Sequence, residues 1–259
     1  MDDSAPLCSY LLNRFPSEFN SATRNSFLEK AGRGTLSTAA LAHWLSQDRI
    51  YAQTYVRFIG LLLAKIRLPL QPEDDKGGDL AKFLWAFVKV LIKALNNIEE
   101  ELMLFDDVAE RYGLQVPAEE MVVEPITKAY CDFMISTAAA GTPILEGMVL
   151  LWGMEKCYYA SWSYASFHTE ETAAVPKHQQ SPASRALLQE LIPNWTSPEF
   201  ESFVDDIEGS IVSFAHLKDA GIYTVQFGDE YDTNGQSLRR CEEVFQQLLW
   251  LEERFWPAV

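Results

Sequence analysis

The chain is short of basic residues: 21 lysines and arginines stand against 37 aspartates and glutamates, for a net charge of −16. Nucleic-acid binders displace counterions from phosphates with clustered lysine and arginine, so no nucleic-acid partner is expected. Cysteine is scarce too. Cys8, Cys131, Cys157 and Cys241 are widely scattered and form no CxxC pair, which argues against a zinc site or a disulfide framework and fits a reducing, cytoplasmic compartment. Nowhere do 18 apolar residues run together, and the N-terminal MDDSAPLCSYLL is acidic where a secretory leader would be basic and then apolar. Neither a membrane partner nor export is therefore expected.

Histidine is equally sparse, and none of the four fits the Glu-x-x-His pattern of di-iron bundles: three residues before His43, His168, His178 and His216 stand Ala40, Ala165, Val175 and Ser213. GxxxxGK[ST], GxGxxG after a strand, HExxH and GxSxG are all missing, so nucleotide, zinc-protease and α/β-hydrolase chemistry have no support. No metal or organic cofactor is pointed to.

What the chain does have is apolar residues, 48% of the total, spaced for helices. Leu41, Trp44, Leu45, Tyr51, Tyr55, Phe58, Leu61 and Leu62 recur at three- and four-residue intervals behind a Ser37 or Thr38 cap. A second helix is expected from Asp79 to Leu114, with the acids near 99–107 on its solvated face. A third should open at Pro117 and run to Gly141, a fourth from Ile144 to Phe167, then helices at roughly 184–191 and 197–217 and a last one ending at Pro257. Surface loops are expected at about 67–78, 168–183 and 221–237, where proline, glycine and Asn-Gly gather. The prediction is an all-α, single-domain helical bundle spanning 1–259.

One segment strains that plain picture. LWGMEKCYYASW, residues 151–162, is greasy on every side yet carries Glu155 at its centre, and an unpaired carboxylate buried there would cost roughly several kcal/mol. Asp48 and Glu252 share its habit. Each acid precedes aromatics by three or four residues: Asp48 before Tyr51, Glu155 before Tyr158 and Tyr159, Glu252 before Phe255 and Trp256. That spacing puts acid and ring on one helix face. Three such faces turned to one cavity would suit a flat, nitrogen-rich ring, stacked by the aromatics and hydrogen-bonded by the acids; whether they converge is a matter for the fold.

SATRNSF followed by LSTAALAHWLSQDRIYAQTYVRF, then KAYCDFM, LLWGMEKCYYASW, NWTSPEF and the terminal LEERFW together resemble the TenA family, an all-α group related in fold to haem oxygenase. The resemblance implies a thiamin-salvage hydrolase acting on aminopyrimidines, without metal or organic cofactor, assembled as a homodimer or homotetramer. It implies that Asp48 holds the pyrimidine amino group and ring nitrogen, that Tyr51 and Tyr130 line the pocket, and that Glu252 handles protons with Phe255 as a stacking ring. The better-known branch of the family carries a cysteine nucleophile where this chain has Glu155, with Tyr159 four residues on, so the chain resembles a glutamate branch. Trp195 stands where that branch has a tyrosine. Cys157 is two residues from Glu155, roughly 200° around a helix, and is expected to face elsewhere. A non-catalytic pyrimidine-binding protein and a PqqC-like oxygenase are alternatives on the same fold.

Overall fold

The computed structural model describes residues 6–69, 75–115, 122–170, 175–219 and 235–259. In chain order the helices are α1 (Leu7–Arg14), α2 (Pro16–Thr23), α3 (Ser26–Gly32), α4 (Thr38–Lys65), α5 (Asp75–Tyr112), α6 (Pro125–Thr137) and α7 (Ile144–Phe167). After a 3-10 turn at Lys177–Gln179 come α8 (Pro182–Ala186), a π-turn at Leu187–Leu191, α9 (Ile192–Trp195), α10 (Pro198–Asp219) and α11 (Gln236–Phe255). Among the described residues there is no strand, and no helix is long and apolar enough to cross a membrane.

Local chemistry sets many of the boundaries. Asn25 and Ser37 cap α3 and α4 by accepting the Leu28 and Ala40 amides, both at 3.1 Å. Gly113, with φ of 63°, takes the left-handed turn that ends α5. Several boundaries differ from the sequence expectation, α6 ending at Thr137, short of Gly141. α5 starts at Asp75, inside the stretch assigned to a loop, because two glycines in a first turn are a small cost against so long a helix. α6 starts at Pro125 after non-helical residues 122–124, and the expected start at Pro117 lies outside the described residues: the Gln47 side chain donates to the Val122 carbonyl at 3.0 Å and accepts the Glu124 amide at 3.1 Å. That clamp keeps Glu124 extended, with φ of −66° and ψ of 149°, which the following proline also favours. The expected loop at 221–237 falls, up to residue 234, outside the described residues, and from Gln236 the chain is helical.

α7 is the central post. It is apolar all round because neighbours cover it on every side, with α2, α3, α4, α6, α9, α10 and α11 all packed against it. α11 lies so close that a Cβ on Gly153 would fall 2.3 Å from Leu248 Cδ2, and α3 so close that a Cβ on Gly32 would meet the Ala165 carbonyl at 2.0 Å. Two hydrophobic clusters result. One contains Tyr51, Tyr55, Tyr130 and Phe255, and the other Trp44, Trp162, Trp195 and Trp256.

Candidate functional site

α4 presents Asp48, Tyr51 and Tyr55 at three- and four-residue steps, so the three share a face. α7 presents Glu155 and Tyr158, and α11 presents Glu252 and Phe255, each pair one turn apart. The fold turns these faces together, with α6 adding Tyr130. The Tyr51 ring is the hub: its centroid lies 5.0 Å from Tyr130, 5.7 Å from Phe255, 6.1 Å from Tyr158 and 6.3 Å from Tyr55. Tyr51 and Tyr158 are stacked, with 6° between their planes.

Each acid receives a tyrosine hydroxyl from a different helix. Tyr158 donates to Asp48 Oδ1, Tyr130 donates to Glu252 Oε1, and Tyr55 donates to Glu155 Oε1 at 2.5 Å. Asp48 and Glu252 are completely buried, and their second oxygens, Oδ2 and Oε2, have no partner. Burial raises all three carboxyls against the pull of their tyrosines: Asp48 and Glu155 to about 7, and Glu252 to about 8 with Asp48 and Glu155 adding their repulsion. Carboxyls poised near neutrality can give and take protons at ordinary pH, which is what acid–base chemistry requires.

Two members of this group were not read from the sequence. Tyr55 was seen only as a core residue, although its position one turn beyond Tyr51 was a usable signal. Glu101 was placed with the acids of a solvated face. The structure corrects that: the Trp195 indole donates to Glu101 Oε2 at 3.0 Å, and burial, followed by the charge of Asp48, pushes the Glu101 carboxyl well above its ordinary value. The signal lay four residues on, at Phe105, which is buried against Trp44 and Trp195 and so marks an inward face of α5.

Tyr159 is not brought in with the others. Its hydroxyl is engaged by Glu201 on α10, and Lys156 sits 5.9 Å from its ring, so it faces away from Tyr51. The step of about 100° from Tyr158 accounts for this. Trp195 is fully buried and reaches the acids through Glu101 and the edge of Tyr158, 5.9 Å away. The Cys157 thiol is fully buried and is raised well above its ordinary value by burial and by Glu252. That environment disfavours the thiolate. Among the described residues no group of histidines, cysteines and acids is arranged to hold a metal ion.

Comparison with known proteins agrees with this architecture. The family model described as TENA/THI-4/PQQC matches residues 86–259. A "Probable transcription factor" of Fusarium pseudograminearum is 29% identical over 97% of this chain, and the chain spans only 51% of that protein. A "Probable bifunctional TENA-E protein" of Glycine max is 22% identical, covering 73% of this chain and 72% of its own length. Among solved structures, a TenA homologue from Pyrococcus furiosus superposes with a TM-score of 0.71 at 23% identity, over 96% of this chain and 98% of that one. A TenA family transcription regulator from Silicibacter gives 0.69 at 17% identity, over 96% and 94%.

Proposed function

The chain belongs to the TENA/THI-4/PQQC family, and from that premise we propose that it is a glutamate-branch hydrolase that releases hydroxymethylpyrimidine from amino- or formylamino-methylpyrimidine. The observation that carries this reading is the ring of acids around Tyr51: Asp48, Glu155 and Glu252, each held by one tyrosine hydroxyl, two of them with a buried oxygen left for a ligand.

In this reading the pyrimidine stacks against the tyrosines and Phe255. Asp48 Oδ2 accepts from its amino group or a protonated ring nitrogen. A water then attacks and the C–N bond breaks. Glu155, with the lower value, takes the water's proton, and Glu252, with the higher value, keeps the departing nitrogen protonated. The high pKa of Cys157 favours water over thiol as the nucleophile. The same reading includes a cytoplasmic homodimer or homotetramer that works without metal or organic cofactor, whose partner is the small pyrimidine and neither nucleic acid nor membrane.

The test is to incubate the protein with aminomethyl- and formylaminomethyl-pyrimidine and with thiamin, and to compare wild type with Glu155→Gln and Glu252→Gln. Turnover lost in both variants supports the reading; no turnover in wild type, or unchanged rates in both variants, sinks it. A second reading is a non-catalytic, regulatory pyrimidine-binding protein, in keeping with the description of the Fusarium relative as a probable transcription factor. It requires tight binding by calorimetry with no product from any of the three compounds.

A further inference from the structure

Of the four acids gathered here, Glu101 is held by a tryptophan. Trp195 is fully buried, stacked on Trp162 at 4.8 Å with 15° between planes, and set edge-on to Tyr158 at 5.9 Å. Its indole N–H has little freedom and is a donor only, so it fixes Glu101 Oε2 and sets the direction of the carboxyl.

Among the described residues, the charges that act on Glu101 are all of one sign. Asp48 and Glu155 act on Glu101, and the same two act on Glu252; among the described residues no lysine, arginine or histidine is among the groups that shift any of the four carboxyls. The buried, unpartnered Asp48 Oδ2 and Glu252 Oε2 independently point to a missing donor. A neutral ligand would leave these acids facing one another, whereas an ammonium group brings three donors and the compensating charge.

We propose that Glu101, aimed by Trp195, is a specificity-determining residue that makes the site select pyrimidines carrying a protonated primary amine over their neutral hydroxymethyl and formylamino counterparts. This rests on the pyrimidine reading above and sharpens it. The neutral hydroxymethyl product lacks the ammonium and leaves more readily than the substrate.

Calorimetry with three probes tests this: 4-amino-5-aminomethyl-2-methylpyrimidine, its hydroxymethyl analogue and its formylaminomethyl analogue. Wild type is expected to bind the aminomethyl compound at least about tenfold more tightly than either neutral one. Glu101→Gln should cut that preference to within about threefold, by weakening the amine alone and leaving the hydroxymethyl affinity unchanged. Trp195→Phe keeps the carboxylate and removes its donor, so an intermediate preference is expected, and it serves if the glutamine variant does not fold. Equal wild-type affinity for all three probes, or equal weakening of all three by Glu101→Gln or by Trp195→Phe, overturns this inference and leaves the pyrimidine reading standing. Failure of wild type to bind any probe overturns both.

Discussion

Tyr158 looks onto two neighbourhoods. On one side its ring stacks on Tyr51 and its hydroxyl holds Asp48; on the other its edge meets Trp195, and Trp256 lies 5.8 Å away. The two regions are built from similar aromatic mass but handle polarity in opposite ways. In the tryptophan cluster the Trp44 and Trp162 indoles are buried with no hydrogen-bond partner, and their rings pack edge to face at 5.3 Å. A neutral N–H left so costs about 1–3 kcal/mol, which tight packing offsets. An ionised carboxylate would cost more than packing returns, and the acids of the tyrosine cluster rise toward neutrality instead. One region is built for stability, and the other holds titratable groups with buried carboxyl oxygens left without a hydrogen-bond partner.

That contrast can be broken from either side. The largest effect is expected from Glu252→Gln: turnover should fall about 10²- to 10⁴-fold, the usual worth of a general acid or base, while circular dichroism shows the fold intact. Trp162→Ala should do the reverse, lowering stability by about 3–5 kcal/mol in chemical denaturation while the folded fraction keeps turnover within about tenfold of wild type. An equal loss of turnover in the two variants would erase the distinction.

The pH dependence of stability comes next. Asp48, Glu155 and Glu252 have folded-state values of about 7, 7 and 8, above their ordinary values of 3.8, 4.5 and 4.5. Over that window the folded chain holds protons that the unfolded chain has released, so stability is greatest at low pH and falls as pH rises through the folded values. Thermal melts of the ligand-free protein should therefore drop between pH 5 and pH 8.5, and Glu252→Gln should flatten the slope. Tyr130→Phe should have a smaller effect. Removing a hydroxyl that lowers Glu252 moves that carboxyl higher, and the alkaline limb of the rate profile should shift up with it. Smallest of all should be Cys157→Ala, with turnover within about twofold of wild type; loss of turnover there would restore thiol chemistry.

Much of the bundle was legible because helical periodicity and capping residues are local. Ser37 capped α4 and Gly141 preceded α7 where the pattern said. α6 was misread because what holds its start lies 75 residues away in Gln47. The site shows the same division. Asp48, Glu155 and Glu252 could be picked out by their spacing to aromatics on their own helices, whereas Tyr55 looked like plain core and Glu101 like solvated surface.

The sequence alone determined which faces are apolar, that Asp48, Glu155 and Glu252 share faces with aromatics, and that the chain would form helices, since each follows from residues a turn or two apart. Only the tertiary structure decided that those faces meet at Tyr51, that Tyr159 turns to Glu201, and that Glu101 points inward to Trp195. The reason is physical: whether a carboxylate is a solvated charge or a raised, reactive acid depends on how much water its surroundings exclude, and those surroundings come from other helices.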